Sequence, residues 1–189
     1  MSGRTAVAPP VLTVGHSTHP IEVFLALLAA HGVERVVDVR RFPGSRRHPH
    51  FGREALEASL AAAGIDYVHA PELGGRRSGG ADSPNRAWRV AAFRAYADYM
   101  DGDEFRSALQ DVMEMAVEPR VALMCAEAVP WRCHRRLIAD ALVARGVEVR
   151  HILGPGRADR HELHPAARVL EGGRLVYPAR EDEQGELLG

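Results

Sequence analysis

Between residues 11 and 153, short apolar runs alternate with stretches whose apolar residues recur every three or four positions, and this alternation constrains the fold more than any other feature of the chain. The runs at 11–17, 33–40, 65–69, 120–127 and 147–153 have the length of buried strands. Between them, Pro20 and Glu22 open a first helix that Gly32 stops, and Phe51, Leu56 and Leu60 give a second helix its apolar face before Gly64. Two helices over 87–100 and 104–117, a fifth from about 133 to 145, and a short one near 165–170 complete the expectation. Strands separated by helices of this length join through right-handed crossovers into a parallel sheet. The expected fold is therefore α/β, a single domain over 11–177 with a mostly parallel β-sheet flanked by helices in a Rossmann-like three-layer arrangement. Residues 1–10 and 178–189 are expected to be flexible termini.

A chain of 189 residues, 46% apolar and 26% charged, supports one well-buried core. In a parallel sheet, ligands sit beyond the carboxyl ends of the strands. That rule selects residues 15–17, 38–45 and 125–134. The breaker-rich segment 71–84 is expected to be a mobile surface loop and a candidate lid.

The net charge of −1 gives no global pull towards nucleic acid or anionic membrane, so any attraction of that kind must be local. All 24 basic residues are arginine, which excludes lysine Schiff bases, lysine-bound pyridoxal phosphate and the lysine of a P-loop. Two cysteines, Cys125 and Cys133, are too few for a secreted disulfide framework and imply a reducing compartment. With no signal-like N-terminus and no apolar run of ~18 residues, the expected location is the cytoplasm, with no membrane partner. No cofactor is expected, and the sequence sets no oligomeric state.

Three segments carry candidate chemistry. In MCAEAVPWRCHRR, Cys133, His134 and Arg135 fall at the start of a helix, whose N–H groups lower a thiol's pKa and bind anions. Cys133 is then a thiolate nucleophile, or, four residues before Leu137, one more residue of a buried helix face. Cys125 ends an apolar strand and reads first as a small hydrophobe. Glu127 suits a general base or the partner of an arginine such as Arg40 or Arg135. In DVRRFPGSRR, Asp38, Arg40, Arg41 and Ser45 belong to a loop of guanidinium groups that fits a phosphate or carboxylate. Six arginines against one acid between Arg35 and Arg53, with Phe42 and Phe51 among them, also suit a nucleic-acid backbone and stacked bases. His16, just past the first strand, is a base, a metal ligand or an ordinary hydrogen-bonded histidine. A metal set from His16, Glu127, Cys133 and His134 has the right chemistry, but no ligand spacing supports it.

With those residues placed, the chain resembles the bacterial and archaeal family called domain of unknown function 488. The resemblance rests on VGHST, DVRRFPGS, GIDYVHAPELGG and CAEAVPWRCHR, in that order across most of residues 11–153. It implies an α/β domain with these motifs gathered at one site. It adds Ser17, Pro43, Leu73, Gly74 and Gly75 to the residues already singled out, and it carries no mechanism.

The leading expectation is an enzyme acting on an anionic substrate, a nucleotide, nucleic-acid component or other phosphorylated molecule. Arg40, Arg41 and Arg135 would hold the anion, Cys133 would attack, and Glu127 or His134 would move the proton. The alternatives are a nucleic-acid-binding module built on the loops at 40–53 and 76–77, and a metal-binding redox or sensor domain built on the cysteine and histidine cluster.

Overall fold

The computed structural model describes residues 8–44 and 46–179. These form a six-stranded sheet in the order β3-β2-β4-β1-β5-β6, from β1 (Val11–Gly15), β2 (Arg35–Asp38), β3 (Asp66–His69), β4 (Val121–Cys125), β5 (Val149–Gly154) and β6 (Arg157–Arg160). Strands β1 to β5 run parallel, and β6 returns antiparallel along β5. The α/β expectation holds.

Side chains alternate across a strand, so each central strand feeds two cores. Leu12 and Val14 of β1, with Ala122 and Met124 of β4, meet Phe24 and Leu28 of α1 (Ile21–Ala30) and Leu56 and Leu60 of α2 (Arg53–Ala62). Val121, Leu123 and Cys125 face the opposite layer, made by α3 (Ala91–Tyr99), α4 (Asp103–Met115) and α5 (Arg135–Val143). Each fully buried Leu or Phe contributes roughly 1.5–3 kcal/mol of transfer free energy. The same parity puts Cys125 on the side from which α5 descends.

The chain leaves β1 towards α1 on one face and leaves β4 towards α5 on the other. Since β1 and β4 are neighbours, their carboxyl ends flank the crevice where open α/β sheets bind ligands. Gly15 allows the closest approach there. A Cβ at this position would lie 1.8 Å from the carbonyl oxygen of Glu127.

Three expectations need correction. No helix forms near 165–170; Arg168–Val169 (β7) instead pairs antiparallel with Leu175–Val176 (β8) around two glycines of positive φ, Gly172 and Gly173. The edge strand β6 has one apolar residue, Ala158, among three charged ones, too few to show a two-residue period, although Pro155-Gly156 marks the turn before it. The segment 71–84 is tied down at both ends rather than free. The hydroxyls of Tyr96 and Tyr99 donate to the Leu73 and Glu72 carbonyls, each at 2.6 Å. Arg77 lies 3.7 Å from the Tyr99 ring centroid and donates to the carbonyls of Gly74, Pro71 and Glu72. At the far end, Ser83 and Asn85 donate to Asp98 of α3. Among the described residues no helix is long and apolar enough to cross a membrane.

Candidate functional site

The three segments selected at strand ends do converge, around a cavity of about 620 Å³. Its walls are His16 to Thr18 after β1, Arg40 to Phe42 after β2, Gly75 and Arg76, and Cys125 to Ala128 with Arg132 to His134 around the start of α5. Four arginines line it against one acid, Glu127. Ser17 and Arg76, both on its wall, hold left-handed backbone conformations at φ 48° and 62°, which non-glycine residues adopt rarely and which cluster at ligand sites.

The arginines divide by occupation. Arg40 was expected to hold the anion, but its Nε and Nη2 donate to the two oxygens of Asp38 at 2.8 and 2.6 Å, and its Nη1 donates to the Phe51 carbonyl at 2.8 Å and faces Nε2 of His16 at 3.3 Å. Asp38 is fully buried and also accepts from the Arg40 amide and the Tyr67 hydroxyl. This pair builds the loop after β2, with every side-chain nitrogen of Arg40 already engaged. His16 is spent in the same network. Its Nδ1 donates to the Ser17 carbonyl, its Nε2 accepts from Arg40, and its ring stacks on Phe51. Burial, then the Arg40 charge, lowers its pKa to about 4, so it stays neutral and has no free lone pair for a proton or a metal.

Arg41, Arg76 and Arg132 are exposed on the cavity wall and keep most of their donors free. Arg41 gives one N–H to the Arg76 carbonyl. Gly74 and Gly75 earn their place by close approach. A Cβ on Gly74 would lie 2.6–2.8 Å from Arg41, and one on Gly75 would lie 3.1 Å from Nδ1 of His134. Ser45 lies outside the described residues.

Both thiols reach the cavity floor. Cys133 precedes α5 in extended backbone, φ −129° and ψ 146°, so it is not an N-terminal helix residue as expected. Its sulfur lies 2.7 Å from that of Cys125 and 3.6 Å from Nδ1 of His134. His134 donates from Nε2 to the Val39 carbonyl, leaving Nδ1 as acceptor, and burial lowers its pKa to about 4. The two thiols titrate unequally. Burial pushes Cys125 up, but the Cys133 hydrogen bond and the charge of Arg135 outweigh it, and Cys125 titrates below an ordinary thiol. Cys133 is pushed up, first by holding the proton towards Cys125 and then by burial. Of the two thiols, the one drawn towards the thiolate is Cys125, eight residues before the expected Cys133.

Arg135 is 1% exposed, so it cannot reach a ligand in the cavity as expected. It donates to the Ala128 carbonyl, while its Nε and Nη1 have no hydrogen-bond partner. Neither Arg40 nor Arg135 holds Glu127, whose exposed carboxylate stays at the cavity wall. Among the described residues no group of three or more His, Cys, Asp or Glu side chains converges as a metal site. The set His16, Glu127, Cys133 and His134 is therefore not assembled.

A comparison with protein families matches residues 20–142 to the family described as domain of unknown function DUF488. No curated protein and no solved structure matches the chain.

Proposed function

The chain belongs to the DUF488 family, and from the residues at the strand ends we propose that it is an enzyme acting on a phosphorylated anion, with Cys125 as the nucleophile. The observation that carries this reading is the placement of a depressed thiol on the floor of a cavity ringed by three arginines with free donors. Arg41, Arg76 and Arg132 bind and orient the anion, since guanidinium forks match phosphate oxygens. Cys125 attacks the electrophilic atom. Cys133, which keeps its proton, is the donor beside the reacting sulfur, and Glu127 or the unprotonated Nδ1 of His134 receives a proton. The Phe42 ring, 66% exposed at the cavity mouth with the Arg41 guanidinium 5.6 Å from its centroid, favours a nucleotide, whose base would stack there.

Titration calorimetry with inorganic phosphate and with nucleoside mono- and diphosphates tests the reading. A nucleotide is expected to bind better than phosphate alone, and Arg41→Gln, Arg76→Gln or Arg132→Gln each to weaken it about tenfold, the loss of one charge-assisted contact worth ~1.5 kcal/mol. Equal binding by all three variants would remove the anion site.

A nucleic-acid-binding module without chemistry is the second reading. It is favoured by Arg46 and Arg47, exposed on the loop that runs on from the cavity mouth. It predicts binding to single-stranded nucleic acid that falls steeply with salt and that survives Cys125→Ser.

A further inference from the structure

A buried guanidinium without a counter-ion is expensive, several kcal/mol even after relaxation. Arg135 is in that position. Asp38, the buried carboxylate at the neighbouring strand end, is taken by Arg40, and Asp140 on α5 is taken by His161, by Tyr177 and by the His164 amide. At the site the charge of Arg135 is felt by the two thiols and by His134, and its backbone N–H also points to the Cys133 sulfur. Of these groups only a thiol can ionise to an anion.

The second observation is distance. At 2.7 Å the two sulfurs stand about 0.7 Å beyond the ~2.05 Å of a disulfide bond. They are brought together by the sheet parity of Cys125 and by the extended turn that ends in Cys133, within a segment fixed at both ends by β4 and α5.

We propose that Cys125 and Cys133 form a reversible dithiol–disulfide couple, with the Arg135 guanidinium as the fixed counter-charge of its reduced form and a small carboxylate-bearing disulfide as its oxidant. The Cys125 thiolate attacks one sulfur of the incoming disulfide, the S–S bond breaks, and the first half leaves as a thiolate while the second half stays on Cys125. That leaving thiolate takes the Cys133 proton. Cys133 then attacks the Cys125 sulfur, the internal disulfide forms, and the second half leaves and is protonated from solvent. Two electrons pass from the protein dithiol to the incoming disulfide. The arginine-lined cavity admits an anionic oxidant for the same reason that it admits an anionic substrate. Because Arg135 stabilises the thiolate and not the disulfide, it holds the couple towards the reduced state.

The couple shares Cys125 with the proposed nucleophile but rests on the sulfur contact and on Arg135. The test is incubation of the full chain with oxidised glutathione, read by intact mass and by alkylation of the remaining thiols. Wild type is expected to lose two hydrogens with no adduct, Cys133→Ser to accumulate one glutathione on Cys125, and Cys125→Ser to gain none. In glutathione buffers, Arg135→Gln is expected to move the equilibrium at least tenfold towards disulfide, and Arg135→Lys to stay near wild type. A glutathione adduct that persists on wild-type Cys125 would overturn the couple and leave the nucleophile standing. Two thiols inert to glutathione in the folded chain would overturn both readings. If Arg135→Gln fails to fold, the cysteine variants still decide the couple, and an unshifted equilibrium in a folded Arg135→Gln protein would overturn the role of Arg135.

Discussion

Asp38→Asn isolates the scaffold of the site from its chemistry. In the native chain the Asp38 carboxylate has no exposed surface and accepts four hydrogen bonds, three of them from Arg40, which is itself 8% exposed. An asparagine keeps the shape but offers one acceptor oxygen. Whichever way its amide turns, an NH2 group faces either the Arg40 Nε and amide or the Arg40 Nη2 and Tyr67 hydroxyl. The guanidinium is then buried without a counter-ion, a change that costs roughly 3–5 kcal/mol. Against a total stability of about 5–15 kcal/mol, that is a large part of the whole. With a urea m-value of about 2–3 kcal/mol/M the midpoint should fall by roughly 1–2.5 M. Tm should fall by roughly 6–20 °C for a chain of this length. The double variant Asp38→Asn with Arg40→Met removes the stranded charge and should recover part of the loss, so the two changes are non-additive. A fall below about 1 kcal/mol for Asp38→Asn, or strict additivity in the double variant, would refute the assignment of this pair to the scaffold.

Three further expectations follow from the packing. His16 and His134, with pKa values lowered to about 4, and His151, lowered to about 3, are neutral when folded, whereas the unfolded chain titrates them near 6.5. The unfolded state thus binds more protons below that value. Their contribution is complete above pH ~6.5 and is lost as pH falls towards 4, so urea midpoints should show a loss of roughly 3–6 kcal/mol between pH 7.5 and 5, and a flat profile would contradict the burial of all three. Gly15→Ala drives a Cβ into the Glu127 carbonyl, and since backbone cannot move aside cheaply it should cost at least about 1–3 kcal/mol and slow any activity of the site; unchanged stability would mean that the β1 and β4 ends are not in contact. Tyr177→Phe removes a 2.9 Å hydrogen bond to the buried Asp140 carboxylate, which also accepts from His161, and should cost about 1.5–3 kcal/mol by thermal unfolding; a neutral effect would detach the C-terminal segment from the core.

Apolar runs made the sheet legible in sequence, because strands covered on both faces need them, as β1 and β4 show. The polar edge strand β6 and the short hairpin of β7 and β8 bury too little to leave such a mark. The rule that sites lie at strand carboxyl ends found the three segments that meet. It did not rank the arginines in them. Asp38 and Arg40 lie two residues apart on a strand end and so share a face, a signal for their pairing that was present in the sequence. Nothing comparable marked Arg135, whose burial depends on how α5 packs, or the meeting of the sulfurs, because a spacing of eight fixes no geometry across a turn. Thr13, polar in the middle of a buried strand, was a legible hint of the chain Thr13–His151–His161–Asp140. That network also engages both ring nitrogens of His161.

The most direct test of the account compares alkylation of Cys125 by iodoacetate and by iodoacetamide, which share a reacting carbon and differ in charge. At neutral pH, with peptide mapping to locate the label, the anionic reagent should react faster with the folded protein. Its advantage should shrink in Arg41→Gln, Arg76→Gln and Arg132→Gln and in the presence of phosphate, because the proposed function has the cavity concentrate anions around a thiolate. Labelling of Cys125 only on unfolding, or a reagent preference unchanged by the arginine variants, would contradict the account.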